Sequence, residues 1–265
     1  MSEFNLGKCR KRRLALLLTL SLVIIVALTV CIFSVNKKYE NGIVILGYHG
    51  VVSNEEKNTL KADDKYTLSV SQFRNHMQYL YENGYKTLSM QELLDYCDGK
   101  IENVKKTVVL TFDDGYKNFN EVVKPIIEEF GFKATCFVIG KHTDDDRNEF
   151  LKSQDIVNTE NVEYYSHSYD LHRTAKGINK KIIEVLSKEE IDNDFKKNTV
   201  SHEYFAFPYG RSRNDIDDIL ENNGVKLAFS YNQYRKMTRN DDRYFLPRYM
   251  ILDSTPLWYL KLILE

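Results

Sequence analysis

Two short segments carry residue types that suit hydrolysis at a metal ion. Thr111-Phe-Asp-Asp-Gly115 sets two carboxylates side by side, and His167 stands five residues before His172. Zinc in catalytic sites accepts imidazole nitrogen and carboxylate oxygen from three protein ligands and keeps a fourth position open. Two histidines and one aspartate from these segments are therefore a suitable ligand set.

Each segment also has a purely structural interpretation. Asp and Gly favour tight turns, so Thr111–Gly115 could simply end a strand. His167 and His172 would lie about 140° apart on a helix and on opposite faces of a strand, so they converge only across a loop. If Asp113 and Asp114 both act, they divide roles, because neighbours on an extended segment point in opposite directions.

Two further segments end predicted strands with polar or rigid groups. Leu46-Gly-Tyr-His-Gly50 places His49 after the first strand, and Tyr204-Phe-Ala-Phe-Pro-Tyr-Gly210 ends in a Pro-Tyr-Gly turn. In barrels of alternating strands and helices, catalytic residues gather at the carboxyl ends of the strands. We therefore expect all four segments to open on one face.

Short apolar runs alternate with helical patterns along the chain, which predicts β-α units around a mainly parallel sheet. The fold class expected is a distorted (β/α) barrel, not necessarily closed. The predicted strands lie at 43–47, 86–88, 107–112, 133–139, 161–166, 203–207, 225–230 and 244–251. The predicted helices lie within 73–84, 89–97, 122–131, 188–197, 216–224 and 257–264. The charge-rich helix at 188–197 is expected to be a solvated surface element.

The N-terminal region has the pattern of a membrane anchor. No charge occurs from Leu14 to Val35, and a helix of that length reaches about 33 Å, the thickness of a bilayer core. More basic residues precede this run than follow it, which places the N-terminus in the cytoplasm. The alternatives are a cleaved signal peptide and a lipoprotein cleavage before Cys31. The run lacks the A-x-A site of a signal peptide, and Val30 is bulkier than a lipoprotein cleavage site prefers.

These features predict a single-pass protein of the cell membrane with an extracellular catalytic domain. The segments expected are a cytoplasmic tail at 1–13, an anchor at 14–35, a linker at 36–42 and an extracytoplasmic domain at 43–265.

Composition excludes several classes of protein. The 37 basic and 38 acidic residues nearly cancel, so no global field points to nucleic acid as a partner. The 4 cysteines form no C-x-x-C pair, which excludes a zinc finger and a thioredoxin-type redox site. Cys136 lies in an apolar run and is expected to be a buried free thiol rather than half of a disulfide.

Taken together, the four segments resemble the polysaccharide deacetylases, the NodB-homology group of carbohydrate esterase family 4. The resemblance rests on T-F-D-D-G at Thr111–Gly115, on the histidine motif His167–His172 and on Phe207-Pro-Tyr-Gly210. It extends from residue 43 to about 251. The H-S-x-x-L-H form and the early Gly-Tyr-His-Gly are most similar to the poly-N-acetylglucosamine deacetylase branch, in which the last motif has moved to the front of the chain.

The resemblance implies a role for each residue of the motifs. Asp114, His167 and His172 would hold one divalent metal ion, with Zn²⁺ the expected ion. Asp113 would be the general base for the attacking water, and His49 the general acid that protonates the departing amine. The backbone N–H of Tyr209 would help to hold the oxyanion.

Two departures from the family pattern concern an arginine and a histidine. The arginine that many members place two residues before the Pro of the third motif is Ala206 here. Arg248 is the candidate substitute that would contact the base, and a surface ion pair is its alternative. The usual C-terminal Leu-x-His is absent, because 203–265 contain no histidine, so His49 must fill that position.

The function implied is removal of N-acetyl groups from N-acetylglucosamine-type residues of a cell-envelope polysaccharide, with release of acetate. Peptidoglycan and poly-N-acetylglucosamine both remain open as substrates, and the membrane is the other partner expected. A glycoside hydrolase is disfavoured because it needs two carboxyl groups that flank the bond and has no use for paired histidines. A catalytically inactive, membrane-anchored glycan-binding module is the remaining alternative.

Overall fold

Parallel strands form the frame of this protein, for which a computed structural model describes residues 17–27, 29, 42–102, 104–144, 146–231 and 234–265. The strands are β1 Val44–Tyr48, β2 Gly50–Val52, β3 Thr67–Ser69, β4 Lys86–Thr87, β5 Thr107–Phe112, β6 Ala134–Val138, β7 Val162–Ser166, β8 Tyr204–Ala206, β9 Leu227–Ser230, β10 Leu246–Pro247 and β11 Tyr249–Met250. The helices are α1 Asn54–Asn58, α2 Val70–Glu82, α3 Met90–Cys97, α4 Lys124–Glu129, α5 Lys188–Lys197, α6 Asp217–Asn222 and α7 Leu257–Leu264.

The main sheet has nine strands and curves into a nearly closed barrel. Its order is β10-β9-β8-β7-β6-β5-β1-β11, with β4 also paired to β5, and the pairs along this path are parallel. Only Arg248 separates β10 from β11, yet β10 pairs with β9 and β11 pairs with β1. The segment 246–250 therefore bridges the two ends of the sheet, and Arg248 lies at the seam.

Alternating side chains of the strands enter different hydrophobic clusters. Ile45 and Val109 belong to an interior cluster with Phe137 and Phe229, to which α3 also contributes. Their neighbours on the same strands pack outward against the surrounding helices. Strands buried on both faces read as continuous apolar runs, which is why β5 and β6 are so clear in the sequence.

Most predicted elements are present. The region 244–251, predicted to supply at least one strand, contains two short strands, because the chain changes partner at Arg248. The excursion β2-α1-β3 was not predicted, since its elements have only three, five and three residues. The helix of 122–131, predicted to bend or begin afresh at Pro125, begins as a π-helical turn at Phe119 and restarts as α4, whose first turn contains Pro125.

Helix α5 corrects the expectation of a merely solvated surface element. Ile191 and Phe195, one turn apart, are buried in a cluster with the outer faces of β8 and β9. The charged residues of α5 occupy the other positions, so the average polarity of the segment does not reveal this apolar stripe. Asp194 on the same helix contacts the loop that carries the two histidines.

The N-terminal region is a separate unit, Met1–Asn41, in which residues 17–27 are helical and exposed. Among the residues that the structure describes, no helix has both the length and the apolar character needed to cross a membrane. The predicted tail, much of the predicted anchor at 14–35, and nearly all of the predicted linker lie outside the described residues.

Candidate active site and metal centre

The carboxyl ends of β1, β5, β7 and β8 meet at a cavity of about 300 Å³. Six of the seven residues singled out in the sequence line it, and the seventh, Arg248, lies behind Asp113. The lining residues are His49, Asp64, Tyr66, Asp113, Asp114, Tyr116, His167, His172, Tyr209, Tyr231 and Met250.

Asp114, His167 and His172 form a cluster with the geometry of a metal site. Oδ1 of Asp114 is 3.6 Å from Nε2 of His167 and 3.4 Å from Nε2 of His172, and the three ligand atoms lie within 4.8 Å of one another. Ligands bonded to Zn²⁺ at about 2.0–2.2 Å in a tetrahedron are about 3.4 Å apart. The spacing of these side chains therefore fits a zinc ion.

A buried oxygen without a partner supports the same assignment. Oδ1 of Asp114 has no hydrogen bond within the part of the chain that the structure describes, although it is shielded from water. Burial raises the pKa of Asp114 to about 6, against a smaller opposing effect of His49. A cation at the cluster would supply the missing partner and stabilise the ionised carboxylate.

The backbone after β5 brings both aspartates into one cavity. Asp114 has a φ of 76° and Gly115 a φ of 75°. Both carboxylates line the same cavity, and the chain leaves the extended conformation at Asp114. A Cβ at Gly115 would lie 2.8 Å from Cγ1 of Val138, so the turn also requires glycine for space.

His167 is held by a backbone carbonyl. Its Nδ1 donates a hydrogen bond of 2.8 Å to the carbonyl oxygen of Ala206, which leaves Nε2 free to face Asp114. Burial lowers the pKa of His167 to about 3, so the ring is in the neutral form that a metal ligand needs. Ala206, the site of the missing arginine, thus orients a ligand through its backbone.

His172 reaches the cluster because the chain folds back after β7. Ser168 has a φ of 70°, and the His167 and His172 ring centroids are 5.3 Å apart. The His172 ring stacks on Tyr209 at 4.2 Å, and Nζ of Lys181 lies 3.7 Å from the centroid of the Tyr209 ring. Burial also lowers the pKa of His172.

Asp113 forms a buried ion pair with Arg248. The guanidinium donates to both carboxylate oxygens at 2.7 and 2.9 Å and to Oγ1 of Thr111 at 3.1 Å. Arg248 is 0 % exposed, so the alternative of a surface ion pair is wrong. Burial alone would raise the pKa of Asp113. The charges of Arg248, His167 and His49 and the hydrogen bonds from Arg248 together outweigh it and hold that pKa well below its ordinary value.

His49 and Tyr209 complete the set singled out in the sequence. The buried Nδ1 of His49 has no hydrogen-bond partner among the described residues, and its ring centroid is 5.1 Å from that of Tyr66. Tyr209 has a φ of 59°, which is uncommon for a residue with a side chain. Both residues line the cavity beside the carboxylates.

Tyr231 is a cavity residue that the sequence analysis missed. Its ring centroid is 3.9 Å from Cζ of Arg248 and 6.0 Å from the centroid of the His49 ring. A Cβ at Gly47 would lie 2.1 Å from the Tyr231 hydroxyl, and Gly210 is also too close for a side chain. The only signal in the sequence is the pair of glycines, and it does not say which side chain they accommodate.

Comparison with known proteins agrees with the fold. Residues 100–228 match the family model for polysaccharide deacetylase, so the chain carries a polysaccharide deacetylase domain. It is 28% identical over 241 residues to the poly-beta-1,6-N-acetyl-D-glucosamine N-deacetylase of Staphylococcus aureus, covering 82% of this chain and 81% of that protein.

Two solved structures show the same fold. One is IcaB from Ammonifex degensii, with a TM-score of 0.69, 24% identity, and coverage of 84% of this chain and 96% of the other. The other is the Streptococcus pyogenes deacetylase PplD in complex with acetate, with a TM-score of 0.62, 24% identity, and coverage of 84% and 98%.

The Asp113–Arg248 pair makes a testable contribution to stability. Replacement of Arg248 by Met leaves a buried carboxylate without its counter-charge, and we expect the free energy of unfolding to fall by about 3–5 kcal/mol. The double variant Asp113→Asn with Arg248→Met should lose less, because the isolated charge is gone. Urea unfolding of both single variants and the double variant measures the coupling, and additive losses would contradict the pair.

Proposed function

We propose that this polysaccharide deacetylase is a metal-dependent hydrolase that removes N-acetyl groups from chains of the poly-N-acetylglucosamine type and releases acetate. The observation that carries the proposal is the convergence of Asp114, His167 and His172 around an unpartnered carboxylate oxygen, beside the ionised Asp113. The substrate class is supported by the activity for which the Staphylococcus aureus relative is named.

Hydrolysis of an amide requires an activated water, a stabilised oxyanion and a protonated leaving amine. When bound, a divalent metal ion such as Zn²⁺ acidifies a water molecule and polarises a carbonyl. Asp114 and the two histidines would hold that ion, and both histidines have pKa values lowered by burial, so they present neutral rings. Other residues of the chain would then accept and donate the protons of the reaction.

Asp113 is proposed to accept the proton of the attacking water. Arg248 binds both of its oxygens and keeps the carboxylate ionised, and each oxygen retains a lone pair for a second hydrogen bond. Because the pKa of Asp113 is depressed, its carboxylate holds a proton only weakly and releases it as the reaction proceeds.

His49 is proposed to deliver a proton to the departing amine. It lies at the carboxyl end of β1 in the same cavity, and histidine is the side chain that most often serves in general acid–base catalysis. The backbone N–H of Tyr209 is proposed to stabilise the oxyanion, because Tyr209 lines the same cavity as the ligand cluster.

The protein is also proposed to be anchored on the outer face of the cell membrane by its N-terminal segment. The support is the uncharged run from Leu14 to Val35 with the basic residues before it. Such an enzyme would meet secreted or cell-wall glycans at the surface of the cell.

Removal of the metal should abolish acetate release. The purified protein is expected to release acetate from β-1,6-linked N-acetylglucosamine oligomers, and a chelator or Asp114→Ala should stop the reaction. Zinc should restore the chelated wild type but not the variant. Unchanged acetate release after both treatments would refute the metal mechanism, and faster release from purified peptidoglycan would overturn the proposed substrate class.

Loss of His49 should separate proton delivery from metal binding. We expect His49→Gln to lower kcat by about 10²–10⁴-fold, the usual contribution of a general acid. Zinc content, measured by atomic absorption, should stay at the wild-type level because His49 is not in the ligand cluster. A kcat equal to that of wild type would exclude His49 as the acid.

Membrane anchoring can be tested with the full chain expressed in a bacterial host. Wild type is expected in the membrane pellet after an alkaline wash and in the supernatant after detergent. The double variant Val23→Arg with Val26→Arg should leave the membrane fraction. Each arginine raises the free energy of insertion by about 2.5–3.5 kcal/mol at the centre of a span. Equal fractionation of the two proteins would argue against a spanning anchor.

A further inference from the structure

The loop between the two histidine ligands is held by side-chain oxygens. We call residues 168–171 the histidine loop. Ser166 Oγ accepts from the N–H of Ser168, and Ser168 Oγ accepts from that of Leu171. The two central N–H groups, of Tyr169 and Asp170, donate to Asp194 at 2.8 and 2.7 Å.

Asp194 is the acceptor that comes from outside this segment. It lies on α5, and its two carboxylate oxygens each take one of two successive backbone N–H groups. Hydrogen bonds to an ionised acceptor are stronger than neutral ones. Backbone N–H groups of a partly buried loop need hydrogen-bond acceptors. Asp194 supplies the two acceptors that carbonyl oxygens of a helix or sheet would otherwise provide.

Helix α5 is well placed to hold this carboxylate still. Its N-terminus has a complete capping box between Ser187 and Glu190, and its buried residue Phe195 anchors it against the barrel. One turn after Asp194, Asn198 donates to Ser166 Oγ at 2.7 Å. The helix therefore contacts both the start and the centre of the segment that leads to His172.

The side chain of Asp170 makes different contacts. Its carboxylate faces Lys141 at 3.1 Å and Arg173 at 3.6 Å on the surface. Asp194 binds only the backbone of Asp170, so the contact depends on the path of the chain rather than on that side chain. Burial raises the pKa of Asp194, and the two N–H donors oppose that rise.

We propose that Asp194 is a positioning residue of the metal centre, which fixes the histidine loop so that His172 faces Asp114 and His167. The inference rests on the metal site of the proposed function and extends it to a residue beyond the motifs. Partners that orient metal ligands typically contribute about 10–100-fold to metal affinity. Asp194 acts through His172 and does not itself touch the reacting atoms.

A matched control is available on the same helix. Asp192 is also a partly buried aspartate of α5, but it contacts Asn223 and Lys196 instead of the histidine loop. Asp192→Asn and Asp194→Asn therefore make the same change of charge and shape in the same helix. In Asp194→Asn, the amide nitrogen would face a backbone N–H, so at least one of the two hydrogen bonds is lost.

The test measures zinc affinity of the full-length protein by competition with a chromophoric chelator. Asp194→Asn is expected to bind zinc about 10–100-fold more weakly than wild type, and Asp192→Asn like wild type. The visible spectrum of the cobalt-loaded protein should change only in the Asp194 variant, which a general loss of stability would not produce. At saturating zinc, Asp194→Asn should recover most of its kcat.

Each other outcome has a defined meaning. Equal zinc affinity and cobalt spectra in wild type and Asp194→Asn would overturn this inference and leave the deacetylase proposal intact. A wild-type protein that binds no zinc would instead overturn the metal site itself. Should Asp194→Asn fail to fold, Asp194→Glu, which keeps the charge but moves both oxygens by one methylene, replaces it with the same expected loss of affinity.

Discussion

The buried ion pair of Asp113 and Arg248 joins the chemistry of the site to the closure of the barrel. Arg248 is the residue at which the last strand segment changes its partner from β9 to β1. A charge at that seam is tolerable only because a carboxylate meets it with two hydrogen bonds in the buried interior. The position of the seam and the ionised state of Asp113 therefore depend on each other.

The topology also shows why the order of motifs along the chain matters little for the site. The family match covers 100–228 and contains neither His49 nor Arg248. Both nevertheless lie near Tyr231, whose ring centroid is 6.0 Å from that of His49 and 3.9 Å from Cζ of Arg248. In a parallel barrel all strands present their carboxyl ends on one side, so a functional group can come from the first strand or the last.

Much of this arrangement could be predicted from the sequence because buried parallel strands and helix caps have local signals. The run Thr107–Phe112 is a strand of that extent, and Ser89 forms a capping box with Glu92 at the start of the helix predicted at 89–97. The ligand cluster could be proposed from motif spacing, and the structure brings its atoms together. Arg248 was a candidate, but its burial depends on a change of strand partner that no local pattern encodes.

The features that escaped prediction depend on contacts between distant parts of the chain. Tyr231 enters the cavity because Gly47 and Gly210 leave room for its ring, and neither glycine is near it in sequence. Asp194 lies in a helix whose composition suggests only a solvated face. The sequence left the segment Thr111–Gly115 open between a tight turn and an extended strand end, because Asp is compatible with both conformations.

Backbone strain is concentrated where the site is built. The structure describes four non-glycine residues with positive φ, and three of them, Asp114, Ser168 and Tyr209, belong to the three motifs at the cavity. Such conformations cost about 1–3 kcal/mol each and persist only where the surroundings enforce them. Two kinds of contact enforce them here. Asp194 binds the backbone of the histidine loop, and the chain packs closely at Gly115 and Gly210. The barrel thus provides both the meeting point of the ligands and the packing that stabilises their strained turns.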